Sequence, residues 1–332
     1  MLFAPLALAA CRNQASVLNL SGVTMGTTYS VVAVDQSRSL DREDVRIAVE
    51  TALSDVNAQM SNWDAASDIS RFNAARTTDA VSVAPELAEL VAASNDIHLA
   101  TGGQFDLTLG PLIDLWGFGS AGTTGFAPSK GDIEAALALA GQGEHLRAGS
   151  GFLQKTNPDT QIIVSGIGKG HGVDRVAKAI ASLGLKDYLI EIGGDLYTAG
   201  RNADGEPWQI GLESPDPAER RIQQVLEVTG RGMATSGDYR NYFEEDGVRY
   251  SHILDARTGR PVTHTTASAT VLADNTMLAD AWATALLGLG RERGLEIAEA
   301  NNVAVLFIDR VPGQSDGGFR VTESTQFSAL YG

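Results

Sequence analysis

The spacing of apolar residues predicts helices along the whole chain. Apolar side chains three or four positions apart mark one face of a helix. Asp41 precedes the first such run and suits an N-cap, while Pro85 opens the second and Gly102 closes it. The predicted helices cover 41–60, the segment from Pro85 to Gly102, 132–140, 173–183, 275–289 and 291–301.

Segments rich in β-branched residues predict strands between these helices. Residues 17–34 indicate a hairpin with its bend near Gly26. Gly193 and Gly194 separate two further strands, either as a plain turn or as a point where a ligand approaches. Strands and helices intermingle without a βαβ rhythm, which favours an α+β fold over a doubly wound sheet. The other strands are predicted at 161–164, 188–192, 196–200, 207–213, 223–229, 248–254, 267–273 and 303–309.

A glycine-rich segment, VSGIGKGHGVD (164–174), precedes a helix expected to begin near Gly172. It is not a P-loop, because Ile163 replaces the first glycine and Gly170 replaces the Ser or Thr. His171 likewise interrupts the dinucleotide fingerprint. Backbone N–H groups at such a junction can still bind a phosphate, with Lys169 adding charge. A tight turn carrying an exposed lysine fits the spacing equally well.

Asp280 and Thr284 share one face of a predicted helix, four residues apart among apolar neighbours. Their oxygens suit Mg²⁺, a hard cation. A structural aspartate bonded to backbone groups, with Thr284 bonded to its own helix, explains the same spacing. His252, in a predicted strand, could act in acid–base chemistry, contact a phosphate, or simply bond within the strand.

Composition narrows the classes of function. The 332-residue chain carries a formal charge of −16, which disfavours binding to nucleic acid. Its 43% hydrophobic content suffices for a substantial core. The sequence offers neither a His or Cys cluster of the zinc-binding kind nor a spacing that assembles a Ser–His–Asp set.

The first ten residues form an apolar run too short to span a bilayer. Together with Cys11, the only cysteine, they resemble a bacterial lipoprotein signal that ends in a lipidated cysteine. A signal peptide cut elsewhere, with Cys11 incidental, is the alternative. No Lys or Arg precedes the run, which points to a start further upstream.

Seven stretches, in order along the chain, resemble the ApbE family of FAD:protein FMN transferases. The resemblance implies a signal peptide over 1–10 and one mixed α/β domain over 11–332, with two interleaved lobes around the active site. The stretches are TMGTTYSV (24–31), MSNWDAASDISRFN (60–73), GGQFDLTLGPL (102–112), SGIGKGHGVD (165–174), EIGGDLYTAG (191–200), SHILDARTGRP (251–261) and LADAWATALL (278–287).

The activity implied by this resemblance is the transfer of FMN from FAD to a Thr or Ser hydroxyl of an acceptor protein. The reaction would use Mg²⁺ and release AMP. The implied acceptors are subunits of ion-pumping NADH:quinone or ferredoxin-linked reductases. The implied location is the bacterial cell envelope, with a lipid anchor on the membrane and the domain facing the periplasm.

Site residues follow from the same resemblance, position by position. The implied metal ligands are the carbonyl oxygen of Gly166 and the side chains of Asp280 and Thr284. Asp280 or His252 would help the acceptor hydroxyl lose its proton. The implied FAD contacts are Met25, Trp63, Gln104, Phe105, Asp106, Lys169, His252 and Leu254.

Two departures from the family pattern bear on this assignment. Ile163 stands where the family usually carries Asp, and Gly166 and Gly168 replace common alanines. Two other functions therefore stay open. One is a lipoprotein that binds or stores FAD, and the other is a pyrophosphatase that splits FAD into FMN and AMP.

Overall fold

A computed structural model describes residues 15–119, 122, 125–216, 221–239, 241–311 and 318–331. The apolar leader and Cys11 lie outside these ranges, so lipidation and the 11–332 domain boundary stay predictions. Among the described helices, none combines the length and apolar character needed to cross a membrane.

Each predicted helix is present, and its ends agree with the prediction to within a few residues except at one start, whereas α4, α6 and α9 were not predicted. Asp41 caps α1 by accepting a hydrogen bond from the backbone N–H of Glu43, as predicted. Gly290, with φ at +72°, interrupts α8 at the predicted break. The helices are α1 (Arg42–Met60), α2 (Asp68–Ala74), α3 (Pro85–Ala100), α4 (Gly110–Leu115), α5 (Lys130–Leu137), α6 (Gln142–His145), α7 (Gly168–Ser182), α8 (Thr276–Ala300) and α9 (Thr325–Tyr331).

The strands pair antiparallel throughout the described part of the chain. The predicted hairpin at 17–34 is present, and Met25 and Gly26 form its turn with positive φ. The strands are β1 (Ser16–Thr24), β2 (Thr27–Asp35), β3 (Val81–Ser82), β4 (Leu146–Gly149), β5 (Phe152–Lys155), β6 (Asp187–Ile192), β7 (Asp195–Ala199), β8 (Trp208–Glu213), β9 (Ile222–Val228), β10 (Arg231–Gly237), β11 (Tyr242–Glu245), β12 (Val248–Ser251), β13 (Leu254–Asp255), β14 (Arg260–Pro261), β15 (Thr266–Ala273), β16 (Ala304–Arg310) and β17 (Phe319–Glu323).

One central sheet has the strand order β1-β2-β6-β7-β10-β15-β16-β17. Helices α7 and α8 lie side by side and cover one face, packing with buried aliphatic side chains of the sheet. The β8–β9 hairpin and α9 cover part of the opposite face. The predicted α+β class is confirmed.

Two predicted features at the glycine-rich segment are wrong. Helix α7 begins at Gly168 rather than near Gly172, so Lys169 and His171 lie in its first turns. Residues 161–164 form no strand, although Ile162 and Val164 are buried. The Asn73 side chain instead bonds both backbone groups of Ile162, which satisfies them without a neighbouring strand.

The predicted strand over 248–254 is also only partly right. The structure divides this segment into β12 and β13, which pair with different partners. His252 lies in the break, where its N–H donates to the carbonyl oxygen of Asn241. The break turns the histidine out of a regular ladder and toward the cavity described below.

Candidate active site

The first turn of α7 places the Lys169 side chain and the positive end of the helix dipole beside α8. The N–H of Gly170 donates to Oδ2 of Asp280 at 3.0 Å, which links the two helices. Asp280 is only 2% exposed. A helix N-terminus favours anions, because the helix dipole is positive there.

Close contact between α7 and α8 explains why residue 170 is a glycine. A Cβ at this position would lie 2.6 Å from the carbonyl carbon of Thr276 and 2.8 Å from Cα of Met277. Both atoms belong to the backbone and cannot move aside alone. The glycine that excludes a P-loop is therefore required by the crossing of two helices.

Lys169 lies between two buried carboxylates. Its ammonium forms a close ion pair with Oδ2 of Asp195, and Oδ1 of Asp280 lies 3.5 Å away. Burial alone would lower the pKa of Lys169, but the two carboxylates outweigh it and raise that pKa above its ordinary value. Burial also raises the pKa of Asp195 above its ordinary value, and the ammonium of Lys169 opposes that effect. We assign the shared proton to Lys169, since its ammonium is held between two carboxylates.

Oxygen donors converge where the glycine-rich loop meets α8. A Cβ on Gly166 would lie 2.9 Å from Cγ2 and 3.1 Å from Oγ1 of Thr284, so the loop backbone packs directly on that side chain. Oγ1 of Thr284 lies 3.1 Å from Oγ of Ser236. One turn of α8 separates Thr284 from Asp280. The carbonyl, hydroxyl and carboxylate oxygens predicted as metal ligands therefore belong to one small region.

This set of donors fits Mg²⁺ better than a softer metal. Within the described ranges, no three His, Cys, Asp or Glu side chains are grouped to hold a metal. A cation here would depend on carbonyl and hydroxyl oxygens as well as on Asp280. Hard cations that retain water or phosphate ligands accept such incomplete oxygen sites.

A cavity of about 330 Å³ opens above these groups. Most predicted FAD contacts line it. The side chain of Gln104 joins two segments of the cavity wall. It donates to the carbonyl oxygen of Leu254 at 2.8 Å and accepts from the N–H of Ala256. The predicted residues on its surface are Gln104, Phe105, Asp106, Gly166, Lys169, His252, Leu254, Asp280 and Thr284.

Asp106 and Phe105 reach this cavity with little of their side chains exposed. The carboxylate of Asp106 accepts hydrogen bonds from the backbone N–H groups of Thr108 and Gln142. Phe105 belongs to the main core cluster. Both therefore shape the wall as well as offering a surface to a ligand.

Met25 and Trp63 line a second, smaller hollow of about 240 Å³. Ser165 and Lys169 border both spaces, so the hollow adjoins the cavity at these two residues. Trp63 is 66% exposed, which leaves its ring free to stack on a bound group. A long ligand with a charged centre could thus extend to both sides of Lys169.

His252 is neutral in this setting. Burial lowers its pKa below the ordinary value, despite the opposing contacts with Asn241 and Asp238. Its Nδ1 lies 3.0 Å from the carbonyl oxygen of Asn241, which assigns the ring proton to Nδ1. Nε2 is then left with a lone pair. The ring of Phe118 meets the imidazole edge to face, with centroids 6.3 Å apart.

Ile163 lines the cavity with an apolar side chain. The polar contact that the family pattern places here is therefore absent from this chain. The backbone N–H of Ile163 donates to the carbonyl oxygen of Leu107, which joins two segments of the cavity wall.

Sequence reasoning missed Asp195 and Ser236. Asp195 follows the turn at Gly193 and Gly194, and only its acidic character among apolar strand residues could have drawn attention to it. Ser236 lies on β10, a strand that the apolar pattern did not reveal because glycine, threonine and serine dominate it.

A family model, curated relatives and solved structures all match this chain over most of its length. The ApbE family model matches residues 25–307. The chain is 40% identical to FAD:protein FMN transferase from Vibrio cholerae, over 97% of this chain and 95% of the relative. The counterpart from Haemophilus influenzae is 38% identical, over 98% and 94%. The apo crystal structure of Pseudomonas stutzeri flavinyl transferase ApbE superposes with a TM-score of 0.88 at 41% identity, covering 96% of this chain and 98% of that one.

Proposed function

Because this chain belongs to the ApbE family, we propose that it is an FAD:protein FMN transferase whose reaction depends on Mg²⁺ and releases AMP. The observation that carries the proposal is the position of Lys169 at the start of α7, between the cavity and the adjoining hollow. An ammonium and a helix N-terminus at that junction suit the pyrophosphate of FAD, with the two ends of the molecule on either side.

The residues of the chain divide the work of this reaction. Lys169 and the positive end of the α7 dipole would bind and orient the pyrophosphate, and they would stabilise charge as the bond to AMP breaks. Gly166, Asp280 and Thr284 would hold Mg²⁺, which supplies further positive charge to the phosphate oxygens. The cavity wall around Gln104 and Phe105 would limit the access of water.

The acceptor hydroxyl must lose its proton as its oxygen attacks phosphorus. A P–O bond forms to the acceptor, the pyrophosphate P–O bond breaks, and AMP leaves. Asp280 is already bonded by Lys169 and the N–H of Gly170. His252 is neutral and its Nε2 carries a lone pair, so we assign the proton to that nitrogen.

This assignment predicts a pH profile. Burial keeps His252 neutral below the ordinary histidine pKa of about 6.5. As pH falls, transfer should therefore persist through pH 6.5 and decline only when the lowered pKa is crossed. The His252→Asn variant should transfer FMN roughly a hundredfold more slowly, and its rate should no longer show this decline at acidic pH. Initial rates of transfer between pH 4.5 and 8 test this. The same decline at acidic pH in the variant would rule His252 out as the base.

The transferase assay combines the protein, FAD, Mg²⁺ and a Thr-containing acceptor, with products read by mass spectrometry. We expect the acceptor to gain one FMN group for each AMP released. Free FMN without a modified acceptor would indicate a pyrophosphatase. Bound and unchanged FAD would indicate a storage protein. Either of the last two results contradicts the proposal.

The proposal includes partners and location. We expect acceptors among subunits of ion-pumping NADH:quinone or ferredoxin-linked reductases. We also expect Cys11 to carry a lipid that anchors the enzyme to the cell envelope, facing the periplasm. Cys11→Ser should then move the protein from the membrane fraction to the soluble fraction, and unchanged fractionation would contradict the anchor.

A further inference from the structure

The ion pair behind the cavity raises a question of charge. Asp280, an expected metal ligand, already contacts the ammonium of Lys169 and the N–H of Gly170. A cation that uses Asp280 must compete with a lysine charge 3.5 Å from its Oδ1. Two positive charges beside one carboxylate would repel each other strongly in a buried setting.

Asp195 supplies a second carboxylate to the same ammonium. It lies at the start of β7 and is only 1% exposed. A Cβ on Gly193 would lie 3.3 Å from Cδ of Lys169, so the preceding turn packs along the stem of the lysine. Asp195 and this turn together define where the ammonium lies.

We propose that Asp195 is a positioning residue that holds the ammonium of Lys169 and thereby leaves Asp280 free to bind a divalent cation. With both carboxylates present, the group carries a net charge of −1, from one ammonium and two carboxylates. Without Asp195, Lys169 would pair with Asp280 alone, and the group would be neutral. This inference rests on the proposed function, because it concerns the cation of that site.

Mn²⁺ binding, measured by electron paramagnetic resonance on the full protein without FAD, tests this directly. Asp195→Asn should weaken Mn²⁺ binding by about tenfold or more. Lys169→Met should bind Mn²⁺ as tightly as the wild type or more tightly. The double variant, which removes both charges of the ion pair, should return to within about threefold of the wild type.

A matched control separates this role from the general loss of a buried aspartate. Asp35 is also buried at a strand end of the central sheet, where it accepts hydrogen bonds from the turn at Ser37 and Leu40. Asp35→Asn should change thermal stability without changing Mn²⁺ affinity. If Asp195 had a merely structural role, Asp195→Asn would resemble Asp35→Asn, with changed thermal stability and unchanged Mn²⁺ affinity.

Three results would overturn the inference. The first is wild-type Mn²⁺ affinity in Asp195→Asn, and the second is a double variant as weak as Asp195→Asn. The third is a wild-type protein that transfers FMN yet binds no Mn²⁺. In the first two cases, intact FMN transfer by the wild type would leave the proposed transferase activity standing, whereas absent transfer would contradict that activity itself.

Discussion

Asp280→Ala is expected to reduce FMN transfer by on the order of a thousandfold and to remove its dependence on Mg²⁺. Asp280 is the only carboxylate among the three proposed ligands. It is also the group that joins α8 to Lys169 and to the first turn of α7. Its loss would remove the charge that attracts the cation and would release the ammonium that faces the pyrophosphate.

The measurement is the initial rate of acceptor modification across a range of Mg²⁺ concentrations. Asp280→Asn helps to separate charge from packing, because an amide oxygen can still accept from the N–H of Gly170. A control on the same helix is Glu292→Ala, whose side chain is 89% exposed and does not line the cavity. Full transfer by Asp280→Ala with Mg²⁺ present would refute the metal site.

The helices and strands could be predicted because their buried faces require apolar residues at regular spacing along the sequence. Asp41, Pro85 and Gly290 also mark helix boundaries by local chemistry, and the structure places boundaries at or beside each one. The pattern failed where backbone groups are satisfied by side chains. Ile162 has the apolar character of a strand residue, but Asn73 takes the place of a neighbouring strand.

The candidate site was predictable only in part, for a related reason. Asp280 and Thr284 lie one helical turn apart, so their shared face follows from spacing. Lys169 and Asp195 belong to different elements, and only the packing of α7 on the sheet brings them together. No periodicity encodes that contact, so the sequence showed a lysine in a glycine-rich loop but not its counter-ion.

Gly170→Ala is expected to have the largest effect on folding, with a loss of about 3 kcal/mol in the free energy of unfolding. The added methyl group would collide with the backbone of α8 at Thr276 and Met277, so the two helices must separate. Separation would also lengthen the bond from Gly170 to Asp280. A displacement near 1 Å at this point should slow transfer by about a hundredfold in the folded fraction.

Gly168→Ala is the matched control, two residues away in the same turn of α7. Its nearest neighbour would be Cγ2 of Val164 at 3.5 Å, an ordinary contact. Alanine there should stabilise the protein by up to about 1 kcal/mol, because it restricts the unfolded chain and favours the helix. Urea unfolding of both variants tests the difference. Equal stability of the two would show that the crossing of α7 and α8 tolerates a side chain, and that Gly170 is not fixed by helix packing.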